Sequence, residues 1–90
     1  MKRLYQLSPL AKSVLEQNRE AYPRLEEMVL GACEKLASDP KLGDSAGKTG
    51  RRSYRAEPPA DSGLPDALLS YTYNEKKLIV VNIRIIPSDL

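Results

Sequence analysis

Apolar positions along the chain change their spacing once, and the change separates a helical front half from a stranded back half. Leu10, Ala11, Val14 and Leu15 recur at the three-to-four spacing of one helix face, and Leu25, Met28, Val29, Ala32, Cys33 and Leu36 repeat it further on. Ser8 suits a helix cap, and Pro9 suits the first helical position, where its missing N–H is not needed. The first helix is expected to run to about Asn18. Tyr22-Pro23 restarts the chain, and the second helix should end near Ser38, before the stop signal Asp39-Pro40. Ahead of both, residues 2–7 (KRLYQL) form a short β-prone run and a predicted first strand.

After residue 50 the pattern is that of strands. Residues 51–56 (RRSYRA), 67–73 (ALLSYTY) and 78–86 (LIVVNIRII) are the candidates, and the short turn at 74–77 makes the last two a hairpin. Residues 39–50 and 57–66 read as connectors, the second with three prolines and a glycine. In the last strand, alternation places Ile79, Val81, Ile83 and Ile85 in one apolar row and Asn82 and Arg84 on the opposite face. In residues 51–56, Arg51, Ser53 and Arg55 share one side and Arg52, Tyr54 and Ala56 the other. With Tyr54 toward the core, the first set joins Asn82 and Arg84 on an open face, provided the two strands are neighbours. Tyr71 and Tyr73 share a face with Leu69 and are expected in the core rather than as a base-stacking platform. The expected fold is α+β: an N-terminal strand and a two-helix hairpin packed on an antiparallel sheet (β-α-α-β-β-β), with residues 1–90 forming a single domain.

Charge alters this picture more than composition does. The net charge of 90 residues is only +2, but it is unevenly placed. Residues 16–39 hold six acidic groups against Arg19, Arg24 and Lys35, a net −3, whereas residues 41–55 hold Lys41, Lys48, Arg51, Arg52 and Arg55 against Asp44, a net +4. A small protein polarised in this way can present one basic face to a polyanion. The run Gly43-Asp44-Ser45-Ala46-Gly47-Lys48-Thr49 imitates a phosphate-binding loop but has three residues between its glycines where that motif needs four. It also follows a helix and precedes a strand, the reverse of the context that aims a helix N-terminus at phosphate.

Several chemistries are excluded by residue type. The chain has no His, so neither a Ser-His-Asp nor a Cys-His arrangement is available. The single Cys33 lies in a helical pattern and reads as an inert buried thiol, and no metal-ligand set or cofactor motif is visible, so no metal and no cofactor are expected. Adjacent Glu26 and Glu27 diverge on a helix rather than converge. A lone thiol favours a reducing compartment, and no apolar run has the length of a membrane span, so the expected location is cytoplasmic and away from membranes. The one chemistry left is fixed positive charge around a phosphate, with a basic or phenolic group moving protons. Arginine suits the task because its planar fork can grip phosphate oxygens bidentately. RNA cleavage without metal is open to such a site, because the ribose 2′-OH supplies the nucleophile.

The order of elements, with SPLAKSVLE opening the first helix, LEEMVLGACEKLASDPKLG closing the second, RRSYRAE and then LLSYTYNEKKLIVVNIRII, resembles the RelE/ParE toxin superfamily of bacterial toxin–antitoxin systems over nearly the whole chain. The resemblance implies a cytoplasmic toxin held inactive by a cognate antitoxin protein. RelE-like members are mRNA endoribonucleases that act on the ribosome without metal; ParE-like members poison DNA gyrase. Carried onto this chain, Arg55 and Arg84 become the catalytic, phosphate-stabilising candidates, and Lys48, Arg51, Arg52 and Ser53 the RNA-binding ones. Three departures bear on activity more than on fold. The family's arginine at the start of the third strand is replaced by Ala67 or Leu68, the connector at 57–66 is longer than the family's tight turn, and the basic and aromatic tail that often completes the family's active site is not found up to Leu90. The alternative is a non-catalytic protein of the same fold that binds an antitoxin, gyrase or nucleic acid.

Overall fold

The structure, a computed structural model, describes residues 3–45 and 50–87. It contains β1 (Leu4–Leu7), α1 (Pro9–Gln17), α2 (Leu25–Ser38), a short 3-10 helix (Pro40–Leu42), β2 (Asp44–Ser45), β3 (Arg52–Ala56), β4 (Asp66–Tyr73) and β5 (Lys77–Ile86). The class is α+β, as expected. The sheet differs from expectation in two ways. It has five strands in the order β1-β5-β4-β3-β2, and it is mixed, because β1 lies parallel to β5 while the other neighbours are antiparallel. Alternation tells which face a residue takes but not which neighbour a strand finds or in which direction. One edge of β5 is occupied by β4, and β1 fills the other, setting Tyr5 opposite Leu78 and Leu7 opposite Val80. The added strand β2 is two polar residues opposite Ser53 and Arg52, too short to leave a hydrophobic signature.

Both helices form where their periodicity places them, the first with the expected cap. The Ser8 hydroxyl accepts the Ala11 N–H at 3.1 Å, and Pro9 stands at the first turn of α1. Helix α2 begins two residues after Pro23 without a side-chain cap, but Glu26 and Glu27 in its first turn and Lys35 in its last complement the helix dipole. Both helices lie on one face of the sheet. Leu15, Leu25, Val29, Cys33 and Leu36 form a single core there with Leu69, Tyr71, Leu78, Val80 and Ile83. Tyr54 and Tyr73 pack against its margin. The opposite face carries no helix among the described residues.

The last strand requires a correction. Ile83 is buried and Ile85 packs on the core, but Ile79 and Val81 are not in their row: Leu78 and Val80, both fully buried, take the core side instead. Pairing with β4 explains the change. Asn82 opposes Ser70 and Val80 opposes Tyr71, so Val81 is an extra residue with no partner of its own, a β-bulge that reverses the alternation. Continued without a bulge, the phase set by Leu78 and Val80 would turn Asn82 and Arg84 into the core. The bulge turns both outward.

Candidate nucleic-acid interface

Across the helix-free face, register lines side chains into rows, because directly opposed residues in antiparallel strands point the same way. Arg55 of β3 opposes Leu68 of β4, and Leu68 opposes Arg84 of β5. One step along, Ser53, Ser70 and Asn82 make a polar row in the same manner. Arg55 and Arg84 are therefore not on neighbouring strands but flank β4, with Cα atoms two strand spacings apart, roughly 10 Å. Two arginines at that separation can reach a common anion lying over Leu68. Arg84 is exposed, and its side chain makes no hydrogen bond or ion pair among the described residues. Arg55 does: its Nε donates to Asp66 Oδ2 at 2.7 Å, with the arginine side chain 53% and the aspartate 26% exposed.

Arg52 takes a different place from the one expected of an RNA-binding residue. It opposes Tyr71 and so faces the helix side of the sheet, where its Nη2 donates to Gly43 O at 2.8 Å. The Tyr71 ring is fully buried; its hydroxyl donates to Pro40 O and accepts the Gly43 N–H at 3.1 Å. Burial pushes the Tyr71 hydroxyl above its ordinary pKa, partly offset by the bond from Gly43 and by the nearby Arg52 charge. Gly43 admits no side chain, since a Cβ there would lie 2.5 Å from both Ser53 O and Tyr71 Oη. Arg52 and Tyr71 thus fasten the 3-10 helix and β2 to the sheet. Neither is presented to a ligand on the open face.

The expected site residues are accordingly divided. Ser53, Arg55 and Arg84 share the open face. Arg51 is exposed just before β3, and Arg52 serves the loop anchor. Lys48 lies outside the described residues. Of the glycine-containing run 43–49, residues 46–49 lie outside the described residues; α2 and the 3-10 helix precede the run, β3 follows it, and among the described residues no helix comes after it. The sequence pattern gives Asp66 no role and marks Leu68 only as a position where the family's arginine is missing. Leu68 is legible from alternation once β4 is known to separate β3 and β5, whereas Asp66 looked like the last residue of a proline-rich connector and carried no signal of its own.

Other features lie away from the arginine row. A concavity of about 590 Å³ sits beside the start of α2, lined by Arg24, Glu27, Met28, Pro59 and Leu64 among others. It contains none of the site candidates, and a polymer lying along an open sheet face needs no pocket. Cys33 is fully buried, and burial pushes its thiol up to about 11. Among the described residues, no group of three His, Cys, Asp or Glu side chains is gathered as a metal site would require, and no helix is long and apolar enough to cross a membrane. No protein-family model matches the chain, and a search of curated proteins finds no match to it.

Proposed function

We propose that this chain is the toxin of a toxin–antitoxin pair, a RelE-like endoribonuclease that acts on ribosome-bound mRNA without metal. The observation that carries the reading is the row Arg55–Leu68–Arg84 on the helix-free sheet face, beside the polar row Ser53–Ser70–Asn82. In this reading the two arginines straddle one phosphodiester, and the charge that builds on its oxygens during attack by the 2′-OH is met by preorganised guanidinium groups. The polar row hydrogen-bonds the adjoining sugar-phosphate. The order of a strand, two helices and then a terminal three-strand meander is also what resemblance to the RelE/ParE superfamily implies. The partners that follow are an antitoxin protein, which covers the toxin until it is released, and the translating ribosome. The test is expression of the chain alone in bacteria. Translation and growth should stop, and co-expression of the product of a small neighbouring reading frame should restore them.

A second reading is supported by a different observation. Arg55 is already engaged by Asp66, and the buried Tyr71 hydroxyl is too enclosed to move protons at the arginine row. Both features suit a non-catalytic member of the same fold that binds an antitoxin, gyrase or nucleic acid. Unimpaired growth on expression, together with binding of one of these partners, would favour it.

A further inference from the structure

Asp66 stands in a position that its pairing with Arg55 alone does not describe. It is two residues before Leu68 in β4, and Leu68 is the residue opposed by Arg55 on one side and by Arg84 on the other. Asp66 is therefore the diagonal neighbour of both arginines, and diagonal neighbours on one face lie within reach of long side chains. Its own strand partner is Ile86. The Asp66 side chain is 26% exposed and its Oδ2 lies 2.7 Å from Arg55 Nε. A carboxylate held there on the open face already occupies a donor of Arg55 that an incoming anionic oxygen would use.

We infer that Asp66 is an internal competitor at a two-arginine anion site, and that an external phosphate group binds by taking the place of the Asp66 carboxylate on Arg55. The inference deepens the proposed function, because it assigns regulation to the same arginine row and rests on that reading for its biological setting. Two properties of the contact make exchange feasible. Arg55 is half-exposed, and an exposed ion pair is weak enough to exchange with solvent ions. A phosphate oxygen also offers the guanidinium at least as good an acceptor as the carboxylate does, with bidentate geometry available. The carboxylate acts in two ways. It neutralises Arg55 in the free protein, and it repels any anion that approaches Arg84. Ligands that deliver several phosphate charges at once overcome it best, so the site discriminates against single small anions and favours chains of phosphates.

The experiment uses inorganic tripolyphosphate as the probe, so that the outcome does not depend on RNA cleavage. Binding to the parent, Asp66→Asn, Asp66→Asn/Arg55→Ala and Asp66→Asn/Arg84→Gln is followed by calorimetry at low salt. Asp66→Asn should bind about three- to tenfold more tightly than the parent, and either arginine substitution in that background should remove the gain. Unchanged or weaker binding by Asp66→Asn would overturn the inference, since Asp66 would then position Arg55 rather than compete for it. A gain that survives both arginine substitutions would overturn it as well, because it would report net charge alone. Thermal melting of each variant identifies any that fails to fold, and Asp66→Ser then stands in for Asp66→Asn with the same expected gain. Translation-coupled mRNA cleavage by the parent separately reports the proposed function. Absence of cleavage alongside an arginine-dependent gain for tripolyphosphate would refute the ribonuclease reading and leave the anion site standing.

Discussion

The Ser8 hydroxyl donates to the carbonyl of Val81 at 2.6 Å, joining the cap of the first helix to the bulge residue of β5, which is skipped in the pairing with β4. The same oxygen accepts the Ala11 N–H, and the Ser8 N–H donates to Val80 O at 2.9 Å. A hydroxyl has one proton to give and lone pairs to receive, and here both capacities are used. The bulge that turns Arg84 outward is thus held by a residue 73 positions away in sequence.

Ser8→Ala should therefore cost more than an ordinary cap. Loss of the cap removes about 0.5–2 kcal/mol, and the unpartnered, part-buried Val81 carbonyl adds about 1 kcal/mol more. Urea unfolding of the variant should show a lower midpoint with an unchanged slope, and Ser8→Thr, which keeps the hydroxyl, should recover most of the loss. A midpoint equal to the parent's would mean that the bulge is held by other contacts.

The facing of β5 can be tested directly. Val80 is fully buried and Val81 only partly. Val80→Asp places an unpaired charge in the core and should prevent folding, whereas Val81→Asp should leave a folded domain that melts at a lower temperature. Far-UV circular dichroism and thermal melting distinguish the two. The opposite ranking would restore the uninterrupted Ile79–Val81–Ile83–Ile85 row and remove the bulge.

The Tyr71 anchor makes a paired prediction. Tyr71→Phe strands the Pro40 carbonyl and the Gly43 N–H in a buried site and should destabilise the fold by about 1–3 kcal/mol. Gly43→Ala forces a methyl group against Ser53 O and Tyr71 Oη and should be at least as damaging. Chemical denaturation of both variants checks the account, which fails if Gly43→Ala is neutral.

Most elements were legible in the sequence, because each had a local cause. Ser8-Pro9 starts α1 and Asp39-Pro40 ends α2; the hairpin turn at Asn74 is closed by the Asn74 side chain accepting the N–H groups of Lys76 and Lys77, each at 2.9 Å. Pairings between distant residues were not legible. The bulge depends on which β4 residue meets which β5 residue, and the parallel edge depends on β1 finding β5, neither of which leaves a mark in a strand's own alternation. For the candidate site, the sequence placed Ser53, Arg55, Asn82 and Arg84 on one face. That agrees with the register, although the phase assigned to Leu78, Ile79, Val80 and Val81 did not hold. The contacts of Arg52 and Asp66 leave no mark in the sequence for one reason, since each is made with a distant segment, Gly43 in one case and Arg55 in the other.

Alkaline stability follows from the buried thiol. In the unfolded chain Cys33 ionises near 9.0, while in the fold burial raises this to about 11. The folded state thus holds its proton to higher pH, so the contribution is complete below pH 9 and is lost as pH rises from 9 through 11. The parent should lose on the order of 2 kcal/mol more than Cys33→Ala over that interval. Denaturation at several pH values provides the comparison, and parallel curves for the two proteins would contradict it. Tyr71, shifted in the same direction, contributes an alkaline loss common to both.

The proposed function requires Arg55 and Arg84 to act together on one phosphate of RNA. The most direct measurement is cleavage of a defined mRNA in a reconstituted translation reaction by the parent, Arg55→Ala and Arg84→Ala, with folding of each checked by circular dichroism. The parent should cut the mRNA only while it is being translated. Each variant should be slower by roughly a hundredfold or more, as the loss of a preorganised charge donor from a transition-state site produces. Vigorous cleavage by both variants, or no cleavage by the parent, would contradict it.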